Sequence, residues 1–169
     1  MNVSVLNGYG RGKKALIVGR GWSALETKCP EGCEIITVNS RLITGEYNVF
    51  YDAVYIPMVS KKSIQIYNDK IYAPRLPNWY SMQMTYKNSG VSAIIFAEKI
   101  MQYDIIYLTG FDMQNRDDGR TYYDSDEKYP MYGFSPIMEY FLKEWKSPPS
   151  NIINLNKDSA LTVFKKIED

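Results

Sequence analysis

Four short runs of small and polar residues carry the chemistry this sequence can offer. They are Gly19-Arg20-Gly21-Trp22-Ser23, Asn39-Ser40, Asn88-Ser89-Gly90 and Gly110-Phe111-Asp112. Glycine lets backbone amides approach a phosphate closely, and Arg20 adds a planar cation whose fork matches phosphate oxygens. Serine and asparagine bond at short range, and Asp112 is an acceptor suited to ribose hydroxyls. Taken singly, each run reads equally as a tight turn or a helix cap. Taken together they have the composition of a nucleotide site, provided that the fold brings them to one edge. The chain contains no histidine, so acid–base work falls to Asp, Glu, Tyr or the substrate itself.

The elements that must position these runs are organised around residues 88–113. Asn88, Ser89 and Gly90 open an apolar helix with Val91, Ile94, Ile95, Ala97, Ile100 and Met101 at helical spacing. Gln102-Tyr103-Asp104 breaks it. Ile105-Ile106-Tyr107-Leu108 then has the continuous apolar character of a strand buried on both faces. Upstream, Ala15-Leu16-Ile17-Val18 reads as a first strand that runs straight into the glycine turn, with Ser23 as the cap of a short helix over 24–28. A second strand is expected over 34–38 and a third over 51–56, stopped by Pro57. A short helix over 61–67, a small strand over 70–73 and an irregular aromatic connection over 73–88 follow. Residues 115–130 read as a polar loop, 134–145 as an amphipathic helix and 151–155 as the last strand. Alternating strands and helices predict an α/β domain with a mostly parallel sheet covered on both faces, which sets all the strand ends with polar residues along one edge.

Size and composition bound the rest. The 169 residues suit one domain over 14–169, preceded by a loosely held arm over 1–13. A net charge of +1 supplies no global field for nucleic acid or an anionic membrane. No run approaches a membrane span, and the N-terminus lacks the apolar centre of a signal peptide, so the expected location is the cytoplasm. Cys29 and Cys33 read as free thiols, because a zinc site would need two more ligands. The aromatic stretch at Trp79-Tyr80 suggests an acceptor platform or a subunit contact, so a homo-oligomer stays open.

The segment SGVSAIIFAEKIMQYDIIYLTGFDM resembles the Ser-Gly-Val helix and I-Y-L-x-G-x-D strand of bacterial sialyltransferases of the Campylobacter type. It is similar also to the family that includes archaeal 6-hydroxymethyl-7,8-dihydropterin pyrophosphokinases. KKALIVGRGWSAL resembles their opening strand and glycine loop, ITVNSRL their second strand, and YDAVYIPM their third. The resemblance implies a single Rossmann-like three-layer domain holding a nucleotide or nucleotide-sugar as co-substrate. It implies a glycosyltransferase that works without metal on an acceptor it does not identify. By position, Gly19, Arg20, Gly21 and Ser23 lie near the phosphate and Asn39 near the ribose or phosphate. Asn88, Ser89 and Gly90 meet the phosphate or sugar; Gly110, Phe111 and Asp112 meet the ribose and base. Tyr122 and Tyr123 match the tyrosines that assist the departing phosphate.

Departures bear on mechanism. Arg20 and Trp22 replace the Asn and Pro of the family loop. Phe134 stands where the transferases carry the histidine that deprotonates the acceptor. Asp112, Asp117, Asp118 and Asp124 are the carboxylates left to serve as base. Two alternatives follow: a pyrophosphokinase-like enzyme in which Mg²⁺ and loop carboxylates act on phosphate, and a nucleotide-binding module without catalysis.

Overall fold

A computed structural model describes residues 1–39, 43–50, 62–67, 79–83, 88–122 and 134–167. Its frame is one sheet of eight parallel strands in the order β5-β4-β3-β2-β1-β6-β7-β8, a single α/β fold. The strands are β1 (Lys14–Val18), β2 (Cys33–Val38), β3 (Tyr47–Phe50), β4 (Lys62–Tyr67), β5 (Trp79–Gln83), β6 (Ile105–Thr109), β7 (Ile152–Asn154) and β8 (Lys165–Lys166). The chain runs outward from β1 to β5, returns across the sheet, and continues outward on the other side from β6. That reversal puts a topological switch point between β1 and β6, where the connections leave on opposite faces and a crevice opens.

β1 sits flush between its neighbours. Val18 is in register with Thr37 of β2 and with Thr109 of β6, so three strands end at one level. A central strand buried on both faces must be apolar throughout, and Ala15, Leu16, Ile17 and Val18 are all buried.

Two longer helices cover one face. α2 (Ser89–Ile95) continues into a widened π-helical stretch, Phe96–Met101, and ends where Gln102 takes a left-handed conformation (φ 60°). α3 (Phe134–Glu144) lies beside it, with Trp145 Nε1 donating to Glu98 (2.8 Å) and Phe141 fully buried against Phe111, Trp145 and Phe164. Fully burying an aromatic side chain contributes about 1.5–3 kcal/mol, so this cluster is a main anchor of α3. The four-residue α1 (Ser23–Glu26) belongs to the opposite face by the handedness of its crossover, and Thr109 Oγ1 of β6 donates to Thr27 Oγ1 just past its end (2.8 Å). Right-handed crossovers require this division, since β1→β2 and β6→β7 travel in opposite directions.

Several expectations change. Residues 61–67 form strand β4 rather than a helix: Lys-Ser-Ile-Gln-Ile-Tyr is β-branched at alternate positions and is clamped between parallel β3 and β5. The connection expected to be irregular over 73–88 contains β5, whose Tyr80 and Met82 are buried. The described part of the third strand is Tyr47–Phe50, ahead of the expected 51–56; those residues, like the strand expected over 70–73, lie outside the described residues. The first residues are docked. Val3 and Leu6 enter the core, and the amides of Gly8 and Gly10 donate to the carbonyls of Ile100 and Met101 (both 2.7 Å). In α3, Leu142 is exposed, so the apolar stripe there runs through Ile137, Met138, Phe141 and Trp145.

Candidate functional site

The strand ends on either side of the switch point are tied by short backbone bonds. Gly19 N donates to Thr109 O (2.8 Å), and Gly21 N to Gly110 O (2.9 Å). Glycine is dictated here by close packing and, at Gly110, by a left-handed backbone as well. A Cβ on Gly21 would meet Asp112 Oδ2 at 2.5 Å, and one on Gly110 (φ +71°) would meet Gly19 O at 2.5 Å. The sequence signal of a phosphate loop therefore has a structural cause in the mutual approach of two turns.

Ser23 was expected to cap α1. Instead it is the first helical residue, and a remote carboxylate takes the capping role. Asp112 Oδ2 accepts from Ser23 N (3.0 Å), while Asp112 Oδ1 accepts from Ser23 Oγ and from Asn156 Nδ2 (2.8 Å). Ser23 Oγ in turn accepts from Gly110 N (2.8 Å). The side chain of Asp112 is buried and so bonded that about one of its roughly four lone-pair directions remains for a ligand. Asn156 was not anticipated. Its only sequence signal is its place just past the last predicted strand, the same place that singled out Asp112.

The polar runs converge on an open cleft of about 670 Å³. It is lined by Gly19, Arg20 and Gly21 from the first turn and Asn39 after β2. Asn88, Ser89 and Gly90 come from the start of α2, and Gly110, Phe111 and Asp112 follow β6. All the residues expected to bind nucleotide meet there except Ser23, which stands behind Asp112. Ser40 and Tyr123 lie outside the described residues, as does Asp124. Tyr122 lines it as well, and Val38, Met113, Gln114, Thr121 and Ile137 complete the lining and were missed, since a strand end, an ordinary loop and a helix face gave no spacing signal.

The donors are concentrated on one side. Asn88 caps α2: its side chain accepts from Val91 N (2.9 Å) and its carbonyl from Ser92 N and Oγ. Ser89 and Gly90 occupy the first turn, where backbone amides have no intrahelical acceptor and the helix dipole is positive. Arg20 is buried to 9 % exposure, with its guanidinium 4.1 Å from the ring centre of Tyr122, a stacking that fixes the cation at the cleft. Asn39 adopts φ 51°, and its Oδ1 is buried without a hydrogen-bond partner.

Beyond the cleft, Trp22 carries Arg116 and Arg120 against its ring at 4.2 and 4.9 Å. Asp118 is held by Arg120 through two side-chain bonds and the backbone amide, which keeps its carboxyl below the usual range. Among the described residues no three of Cys, Asp and Glu gather to hold a metal ion, and Cys29 and Cys33 are free thiols. No described helix is long and apolar enough to cross a membrane.

Fold and site thus define an α/β protein with a donor-rich cleft at its switch point. Compared with known proteins, the chain matches no family model, no curated protein and no solved structure.

Proposed function

We propose that this protein binds a nucleotide-sugar in the switch-point cleft and transfers the sugar to an acceptor hydroxyl. The supporting observation is the convergence of Arg20, Asn39, Ser89, Gly90 and Asp112, from four separate parts of the chain, on one cleft. In this reading Arg20 and the first-turn amides of α2 hold the phosphate. Asn39 lies near the ribose or phosphate, and the remaining lone pair of Asp112 accepts from ribose hydroxyls or a base amino group. The resemblance of residues 89–113 to sialyltransferases supplies the reaction type.

The step breaks the bond between the anomeric carbon and the phosphate oxygen and forms one to the acceptor oxygen. Charge that builds on the leaving oxygen meets Arg20 and the Tyr122 hydroxyl. Of the carboxylates expected to serve as base, Asp112 is engaged by three donors and Asp118 by Arg120, and neither Asp117 nor Asp118 lines the cleft. The acceptor proton therefore passes to the departing phosphate, whose second pKa of about 6 suits it to receive one.

A thermal-shift screen against CMP, UDP, GDP, ADP, ATP and their sugars, with and without Mg²⁺, tests this. Ligand at a hundred times its Kd stabilises by about 2.7 kcal/mol, which raises Tm by about 5–10 °C in a domain of this size. Metal-independent release of nucleotide from a sugar donor, slowed by Tyr122→Phe at unchanged binding, supports transfer. Mg²⁺-dependent ATP turnover would move the assignment to phosphate transfer, and binding without turnover to a sequestering module. No shift at millimolar nucleotide overturns the site.

A further inference from the structure

Cys29 and Cys33 frame the turn through which the chain enters β2, in the run Cys-Pro-Glu-Gly-Cys. Cys33 N donates to Pro30 O (3.4 Å), closing a tight turn over Glu31 and Gly32. Gly32 is left-handed (φ +76°) with open space around it, so the backbone rather than packing calls for glycine there. The Cys29 thiol donates to the same Pro30 carbonyl (3.5 Å). One oxygen thus gathers the Cys29 sulfur and the Cys33 backbone, and the two thiols lie within hydrogen-bonding reach of each other. Their settings differ. Cys29 is exposed, whereas Cys33 is half-buried, in register with Lys14 of β1. Burial and then Cys29 push the Cys33 thiol above its ordinary value, against the pull of Lys14.

We propose that Cys29 and Cys33 form a redox modification site, which a low-molecular-weight disulfide such as oxidised glutathione converts to a reversible Cys29–Cys33 disulfide. Cys29, exposed and therefore first to react, attacks one sulfur of oxidised glutathione as its thiolate. The glutathione S–S bond breaks, one glutathione thiolate leaves, and a mixed disulfide forms on Cys29. Capping Cys29 removes its upward push on the Cys33 thiol and leaves Lys14 beside it. Cys33 then attacks Cys29 Sγ, and the second glutathione departs. Two protein thiols are oxidised, one glutathione disulfide is reduced to two thiols, and the two protons go to the departing thiolates. The turn holds both sulfurs on one chain, so the second step is unimolecular and outruns build-up of the mixed disulfide. Cys33 starts β2 and Asn39 follows its end, so the site stands apart from the nucleotide cleft and does not rest on the transfer proposed above.

The test incubates the reduced full chain with oxidised glutathione and reads intact mass and free thiols. The chain has two cysteines, so each product is assigned without ambiguity. The expected product is a monomer that has lost both thiols and two hydrogens, carries no glutathione, and regains both thiols with dithiothreitol. Cys33→Ser is expected to hold about ten times more glutathione adduct than the unaltered chain, on Cys29. With iodoacetamide, Cys29→Ser should react about tenfold more slowly than Cys33→Ser, since its one thiol is the half-buried one. The unaltered chain decides the matter even where a variant folds poorly. A lasting glutathione adduct on it, a disulfide-linked dimer, or two thiols untouched by excess oxidised glutathione overturns the proposal.

Discussion

Replacing Asp112 with asparagine isolates the contact that ties the turn after β6 to the start of α1. The side chain keeps its volume, so packing is preserved, but one oxygen becomes a donor. Asp112 Oδ1 accepts two bonds and Oδ2 one. The amide is therefore expected to keep its oxygen toward Ser23 Oγ and Asn156 and to turn its NH₂ toward the amide of Ser23, leaving two donors face to face. One charge-assisted bond is lost at about 1.5–3 kcal/mol, the stranded N–H adds to the cost, and the other two bonds lose their ionic strengthening. The total is about 2–4 kcal/mol, a large share of the roughly 5–15 kcal/mol that holds a domain together. Urea unfolding reads it as a lower midpoint at unchanged slope. Ser23→Ala alone removes the hydroxyl that bridges Asp112 and Gly110 N. Combined with Asp112→Asn in a double-mutant cycle, it should show a coupling of about 1 kcal/mol or more. A loss below about 0.5 kcal/mol for Asp112→Asn, or additive effects of the two changes, would refute the clamp.

Three further outcomes are expected. Gly90→Val places a Cβ 3.0 Å from Phe111 Cε1 and 3.2 Å from Asn88 Oδ1, so it should abolish nucleotide-induced stabilisation in a thermal-shift assay while costing about 1–3 kcal/mol of stability. Arg20→Met should weaken nucleotide binding about ten- to a hundredfold by calorimetry, the value of one charged contact to phosphate. Stability should fall as pH climbs past about 10. Burial and then the bond to Glu34 push the Tyr103 phenol above its ordinary value, and Lys62, against the burial that lowers it, is raised by bonds to Glu46 and Tyr47. Both native groups hold their protons more firmly than the unfolded chain, so unfolding releases protons in alkali; Tyr103→Phe should flatten that slope in pH-dependent urea titrations.

What the sequence revealed tracks how local the signal is. β1, β6 and α2 were legible because a strand buried on both faces and a capped helix state themselves in consecutive residues: Ala15 to Val18, Ile105 to Leu108, and Asn88 with its helical apolar spacing. β4 misread as a helix and β5 misread as a connection are off-centre strands, whose state is settled by partners distant in sequence. The docking of Val3 and Leu6 is likewise a tertiary event. In the site, Gly19, Gly110 and Asp112 were legible as strand-end residues, yet their packing and capping contacts were not. The glycines answer to two turns in contact, and Asp112 to a helix start 89 residues away. Asn156 and Gln114 carried no local pattern and needed the sheet order to be placed.

The most direct measurement of the central claim is an amide-resolved NMR titration of the full chain with CMP and its relatives. The account predicts that one nucleotide shifts the signals of Gly21, Asn39, Ser89, Gly90 and Gly110 together and saturably. Shifts confined to the opposite, amino-terminal edge of the sheet, near Lys13, Glu34 and Lys62, or no shifts at all, would contradict it.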